Sequence, residues 1–324
     1  MPEKSSTMRA AVLEEPGRVS VQQVTVPEPR EGCVRVRLEG CGVCGSNLPP
    51  WEGRPWFKYP FAPGELGHEG WGRVDALGPK ASRFKIGQRV AMLSYRAYAE
   101  YDVADENDLV PLPAELDGKP FPGEPLACAM NVFERADIRA RQTVAVIGIG
   151  FLGALLTMLC SQAGAQVIAI SRRPFALEIA KRCGAAEAIV LKDCKYIAER
   201  VRRLTNDRGC ERVIEAVGRQ EPLDLATELA GERGRLIIAG YHQDGFRQIN
   251  MQLWNWRGLD VVNAHERDQR KYIAGMETAV QAVASGQLNP SFLYTHHFSL
   301  EQLGEAFDAM RNRPDQFLKA LIIL

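Results

Sequence analysis

The chain has 324 residues, 46% of them hydrophobic and 25% charged, enough for two ordinary domains that each bury a core. Forty Lys and Arg residues balance forty Asp and Glu residues, so no overall field attracts nucleic acid or an anionic membrane, and neither is expected as a partner. The polar start lacks the apolar core of a signal peptide and no run is long enough to span a bilayer, so a cytoplasmic protein is expected.

From residue 8 to about residue 120, short alternating or β-branched runs at 10–13, 33–38 and 89–93 are punctuated by Gly and Pro, which predicts a β-rich unit. From about 128 to 264, apolar strands alternate with longer helical patterns. This predicts βαβ units and a doubly wound parallel sheet, with strands at 143–147, 166–171, 188–191, 212–216, 235–239 and 259–263. A long helix through Ser285, a second helix over 298–310 and a terminal strand over 318–324 close the chain. A lone terminal strand must pair with something, and the β-rich first segment is its natural host. The α/β unit is therefore read as an insertion between the two parts of one domain. The eight cysteines are scattered through a chain too large to need disulfide staples, so reduced thiols or metal ligands are expected, with Cys160 and Cys183 as core residues.

Gly148-Ile149-Gly150-Phe151-Leu152-Gly153 has the G-x-G-x-x-G spacing between an apolar strand and a helix. Gly148 suits the tight turn, Gly150 lets backbone approach a pyrophosphate and Gly153 lets helix and strand pack closely. The helix N-terminus offers unpaired N–H groups to phosphates. At the end of the next strand, where an NAD site has an acidic residue, the chain reads Ser171-Arg172-Arg173. A hydroxyl and two guanidinium groups suit a 2′-phosphate, so NADP is expected in preference to NAD.

Cys41-Gly-Val-Cys44 has no second C-x-x-C to complete a zinc ribbon and does not open a thioredoxin-like helix. Gly67-His68-Glu69-Gly70 and Glu124-Pro-Leu-Ala127 add an imidazole and two carboxylates, the ligand types of a catalytic zinc. With these segments, residues 87–91, 97–101, 213–218 and 234–240 and the glycine-rich turn, the chain resembles the zinc-containing medium-chain dehydrogenase/reductase family of alcohol and polyol dehydrogenases. Glu-Pro-Leu-Ala places it nearest the polyol and threonine dehydrogenase branch. The resemblance implies a GroES-like catalytic domain, residues 1–127 and 265–324, around a Rossmann domain, residues 128–264. It implies one catalytic zinc on Cys44 and His68, with Glu69 and Glu124 as alternative or exchanging ligands. It also implies a proton passed by Ser46, nucleotide contacts from Phe151, Leu152, Val217, Gly218, Ala239, Gly240 and Lys319, and a homodimer or homotetramer.

Three departures qualify the resemblance. No cysteine lies between Gly70 and Leu126, so the lobe that holds a second, structural zinc in many relatives is missing. Asn47 stands where the family has an Asp that orients the histidine ligand; an amide oxygen can still accept, without the charge, which implies weaker zinc binding. Pro49 replaces a histidine that ends a proton relay in some relatives. Cys41 is read as a core residue rather than a ligand.

The activity implied is hydride exchange between NADP(H) and a secondary alcohol or ketone. Segment 51–59, which combines Trp51, Trp56, Phe57 and Tyr59 with Glu52, Arg54 and Lys58, points to a polar substrate such as a polyol, cyclitol or sugar alcohol. The alternatives are a zinc-free reductase of activated double bonds or quinones on the same scaffold, which would not need Cys44, His68 or Glu124, and a non-catalytic nucleotide-binding protein. The apolar run 254–262 is expected at a sheet edge that pairs across a two-fold axis.

Overall fold

The computed structural model describes residues 6–324. These form two compact units, one made of the chain up to Ala127 together with Tyr272–Leu324, the other of Cys128–Lys271. The first begins with a hairpin of β1 (Thr7–Glu15) and β2 (Arg18–Thr25). β3 (Cys33–Gly42) leads through a one-turn 3-10 segment (Gly45–Asn47) into the short helix α1 (Leu48–Trp51). β4 (Gly70–Leu77), β5 (Arg89–Met92), β6 (Tyr101–Asp105) and β7 (Leu109–Pro111) follow.

α2 (Gly123–Ala136) carries the chain into the second unit. There β8 (Thr143–Ile147), α3 (Phe151–Gln162), β9 (Gln166–Ser171), α4 (Pro174–Arg182), β10 (Glu187–Val190) and α5 (Cys194–Leu204) alternate. β11 (Cys210–Glu215), α6 (Gln220–Leu229), β12 (Ala230–Ile238), α7 (Met251–Arg257) and β13 (Asp260–Asn263) complete it. The chain returns through α8 (Gln269–Ala284) to β14 (His296–Phe298), α9 (Leu303–Asn312) and β15 (Ala320–Ile323).

The second unit holds one six-stranded parallel sheet in the order β10-β9-β8-β11-β12-β13. This is the doubly wound arrangement, and its strands carry apolar residues toward helices on either face, with Ile147, Ile168, Ile170, Val213 and Leu236 in one core. The order reverses at β8, so the turn after β8 opens at a topological switch point. Gly148 in that turn has φ +96°, and a Cβ on Gly153 would fall 1.9 Å from the Gly148 carbonyl oxygen. Only glycine at 153 therefore lets α3 pack against the turn.

In the first unit the main sheet runs β14-β15-β3-β4-β5-β7, with β6 also paired to β3. β15 lies antiparallel to β3, Leu321 opposite Gly42 and Ile322 opposite Cys41. Both parts of this unit share one core, in which Val34, Val36, Leu38, Phe307 and Ile322 pack together. The helix expected over 298–310 starts later, because Phe298 belongs to β14 and pairs with Ile322. Ser299 and Gln302 then form a capping box, and α9 begins at Leu303. Among the described residues, no helix is long and apolar enough to cross a membrane.

Candidate functional site

Strand register brings the candidate metal ligands together. Cys41 on β3 pairs with Gly70 on β4, so Cys44, just past the end of β3, comes beside His68 and Glu69, just before β4. One possible ligand atom from each of Cys44, His68 and Glu69 lies within 4.8 Å of the others. Glu69 is fully buried, and a Cβ on Gly42 would fall 1.7 Å from its Oε2, so glycine at 42 makes room for the carboxylate.

The register of β15 brings in a fourth residue. Lys319, immediately before that strand and 3% exposed, donates from Nζ to Glu69 Oε1 at 2.7 Å, to Glu69 Oε2 at 2.5 Å and to the Val43 carbonyl at 2.9 Å. The expected nucleotide contact of Lys319 would have to be made from this buried position. Its donors are spent inside its own unit, on a carboxylate that could not otherwise be buried with its charge.

His68 Nδ1 lies 2.9 Å from the Leu66 carbonyl. A carbonyl can only accept, so Nδ1 carries a proton and Nε2 is the nitrogen left for a metal. Burial acts to lower the His68 pKa, but the Cys44 side chain, hydrogen-bonded to the ring, and then Glu124 and Glu69 outweigh it and push the value up to about 10. Cys44 and the two carboxyl groups thus make a place for positive charge, which a divalent cation could fill. Cys41 is fully buried, and burial first and Glu69 second push its thiol well above the usual range. It is a packing residue.

Glu124 lies outside the three-residue group. It stands in the first turn of α2, and its Oε1 accepts a hydrogen bond from the Tyr272 hydroxyl at 2.6 Å, although its charge is felt at His68. Ser46 sits half-buried in the 3-10 turn between Cys44 and Asn47. Asn47 does not act as the acceptor for His68. Its Oδ1 accepts from the Cys44 backbone N–H at 3.0 Å and from the Tyr98 hydroxyl at 2.9 Å, and the Leu66 carbonyl holds the histidine instead. Leu66 and Tyr98 carried no recognisable chemical signal in the sequence, since one is apolar and the other reads as core.

In the second unit, the N-cap Gly150 is extended, and α3 starts at Phe151, which is buried while Leu152 is half-buried. Ser171 ends β9, Arg172 is exposed, and half-buried Arg173 caps α4, where Pro174 occupies the first turn. The Arg173 backbone N–H lies 3.4 Å from Ser171 Oγ. A residue not singled out from the sequence organises the neighbouring loops. Glu215, fully buried at the end of β11, accepts on Oε1 from Val217 and Gly218 N–H at 2.7 and 2.8 Å, and its carbonyl accepts from Ala239 and Gly240 N–H at 2.9 and 2.7 Å.

The amides of these four residues are therefore committed to Glu215, and the Val217 side chain is 37% exposed. His242 Nε2 lies 2.9 Å from Glu215 Oε2 and its Nδ1 accepts from Arg247 Nε at 2.9 Å, so the donor nitrogen of the ring is Nε2. Gly240, His242, Asn263, His265 and Arg267 line a depression at the C-terminal ends of β12 and β13, where doubly wound sheets bind ligands. The signal for these residues was their position at a strand end or up to four residues past it.

Segment 51–59 divides in two. Trp51 is 4% exposed, packs on Phe307 with ring centres 5.3 Å apart and donates its indole N–H to Asp308 at 2.9 Å. It is core, not pocket wall. Trp56 is 55% exposed, and Arg54 Nη2 pairs with Glu52 Oε2 at 3.2 Å on the surface.

Two family models match this chain: "Alcohol dehydrogenase GroES-like domain" over residues 30–114 and "Zinc-binding dehydrogenase" over residues 152–282. The chain belongs to the zinc-type medium-chain dehydrogenase/reductase family. Among curated relatives it is similar to sorbitol dehydrogenase of Bacillus subtilis (strain 168), 24% identical with 97% of each chain covered. It is also similar to D-arabitol-phosphate dehydrogenase of Enterococcus avium, 25% identical with 94% of each covered. Among solved structures, galactitol-1-phosphate dehydrogenase from Escherichia coli shares the fold, with a TM-score of 0.83 at 23% identity over 98% of this chain and 100% of that one.

Proposed function

We propose that this protein is a zinc-dependent oxidoreductase that exchanges a hydride between NADP(H) and a secondary alcohol or its ketone, with a polyol or sugar-derived alcohol as substrate. The convergence of Cys44, His68 and Glu69 in the GroES-like unit carries the reading. A cysteine sulfur, an imidazole whose Nε2 is left for a metal and a carboxylate form a donor set that zinc favours, and the raised His68 pKa marks the spot as one that calls for a cation. Cys44 and His68 would hold the metal, with Glu69 and Glu124 as the carboxylates that exchange. When bound, zinc supplies Lewis acidity toward an alcohol oxygen and the nicotinamide supplies the hydride acceptor.

The protein's own residues supply placement and proton handling. The Leu66 carbonyl fixes the His68 ring, Lys319 keeps Glu69 drawn back and charge-compensated, and Tyr272 holds Glu124. Ser46, in the turn between Cys44 and Asn47, would relay the alcohol proton, receiving it on Oγ while passing its own hydroxyl proton on toward water. The glycine-rich turn and the α3 N-terminus take the pyrophosphate, and Ser171, Arg172 and Arg173 take the 2′-phosphate. The names of the B. subtilis and E. avium relatives support a polyhydroxylated substrate.

One experiment tests the reading: zinc content of the purified protein, with a panel of polyols, sugar alcohols, aliphatic alcohols and ketones assayed with each cofactor. About one zinc per chain and much higher kcat/KM for a polyhydroxylated secondary alcohol than for an aliphatic one of equal length are expected, because a site built for hydroxyls is left with unpaired groups by an analogue that lacks them. Arg172→Ala should reduce NADPH use about 10- to 100-fold and leave NADH nearly unchanged, as a charge-assisted bond contributes about 1.5–3 kcal/mol. Simple alcohols as best substrates, or equal use of both cofactors by the unaltered protein, would refute the corresponding part.

The assembly proposed is a dimer or tetramer built on β13, which ends the six-stranded sheet and, among the described residues, pairs only with β12. Trp256, 83% exposed, and Met251, 49% exposed, lie on the preceding α7 and give that edge an apolar surface. Light scattering at micromolar concentration should give at least twice the chain mass; a monomer contradicts it.

A further inference from the structure

Asn47 holds three parts of the candidate metal centre at once. The side chain is 1% exposed, so each of its polar atoms must be satisfied within the protein. Oδ1 takes the Cys44 N–H and the Tyr98 hydroxyl, while Nδ2 donates to the Leu66 carbonyl at 3.0 Å. That same carbonyl receives His68 Nδ1 at 2.9 Å. Leu66 presents it from a backbone with φ +78°, a left-handed conformation that a leucine adopts only when its surroundings impose it.

We infer that the Asn47 amide, through its N–H donor, is a positioning group that sets the distance between the Cys44 and His68 ligands by anchoring the Leu66 carbonyl, and that an Asp at this position would weaken the metal site of this chain rather than strengthen it. This rests on the zinc reading above. A carboxylate could still accept from Cys44 and Tyr98, but it has no donor for Leu66 and would set a negative oxygen against that carbonyl. The carbonyl, one of its two donors lost, would then no longer hold the left-handed turn and the imidazole in one place. The bare comparison of residue types, Asp with charge against Asn without, gives the opposite expectation.

The test uses the full-length protein, stripped with a chelator and titrated with zinc and, separately, with cobalt(II), as wild type, Asn47→Asp and Tyr98→Phe. Asn47→Asp should bind zinc about 10- to 100-fold more weakly, the range seen when groups that orient metal ligands are altered, and should shift the visible absorption of the cobalt form. Tyr98→Phe, which leaves the donor to Leu66 in place, should bind zinc within a few-fold of wild type with the wild-type cobalt spectrum. Asn47→Asp binding zinc as tightly as wild type, or tighter, overturns the inference while leaving the zinc reading intact. A wild type that takes up no zinc overturns both. Should Asn47→Asp not fold, as circular dichroism of the metal-free protein will show, nitrogen-15 NMR of the wild-type histidines decides: Nδ1–H on His68 in the zinc form supports the anchor, and Nε2–H overturns it.

Discussion

Replacing Cys44 or His68 by alanine should strip the protein of zinc and lower kcat/KM by about 10³-fold or more. Lewis-acid stabilisation of a developing alkoxide is worth several kcal/mol, and about 1.4 kcal/mol is a factor of ten in rate. Each residue supplies one of the three clustered donor atoms, and the remaining carboxylate is already paired to Lys319. Nucleotide binding should change little, because the glycine-rich turn belongs to a different compact unit with its own core. Metal analysis, steady-state kinetics and a fluorescence titration with NADPH measure the three effects separately. Full turnover by a verified metal-free preparation of either variant would remove the mechanism, whereas loss of nucleotide affinity along with activity would point to general unfolding.

The second large effect concerns stability. Lys319→Met leaves the fully buried Glu69 carboxylate without its ammonium partner and leaves the Val43 carbonyl short of a donor. Breaking a buried pair by removing one partner typically costs about 3–5 kcal/mol, because the uncompensated charge stays in a low-dielectric environment. The metal-free variant should therefore unfold at clearly lower denaturant concentration than metal-free wild type. Lys319→Met combined with Glu69→Gln should recover most of the loss, since the double change removes the charge as well as its partner. Bound zinc should narrow the gap for the single variant by giving Glu69 another cation. If the single variant unfolds at the wild-type concentration, Glu69 is not buried as an ion in solution, and its role as an exchanging ligand has to be reconsidered.

The parts of this protein that were legible in its sequence are those whose signal is local. Apolar runs of five or six residues followed by helical periods predicted the strands of the parallel sheet, because a strand buried on both faces needs an unbroken apolar run wherever it lies. The glycine turn was readable for the same reason, its requirement at Gly153 being set by an atom only five residues away, the Gly148 carbonyl oxygen. Cys44, His68 and Glu69 could be named from residue type and family likeness. Their neighbours could not be.

What only the tertiary structure decided is how the charges and hydrogen bonds of the site are shared out. Lys319 reaches Glu69 across 250 residues, Tyr272 reaches Glu124 across 148, and Asn47 reaches Leu66 across 19. Lys319 and Glu69 are brought together by the register of β3 against β4 and β15, and a shift of one residue in that register would turn every side chain to the opposite face, while Tyr272 and Glu124 meet between two helices. Nothing in the local sequence around Lys319 distinguishes an ammonium that points to a phosphate from one that folds inward onto a carboxylate. Nor does the identity of Asn47 reveal whether it is the oxygen or the nitrogen of its amide that secures the histidine ligand. Both are settled by which atoms the sheet places within about 3 Å of one another, the distance at which a hydrogen bond forms.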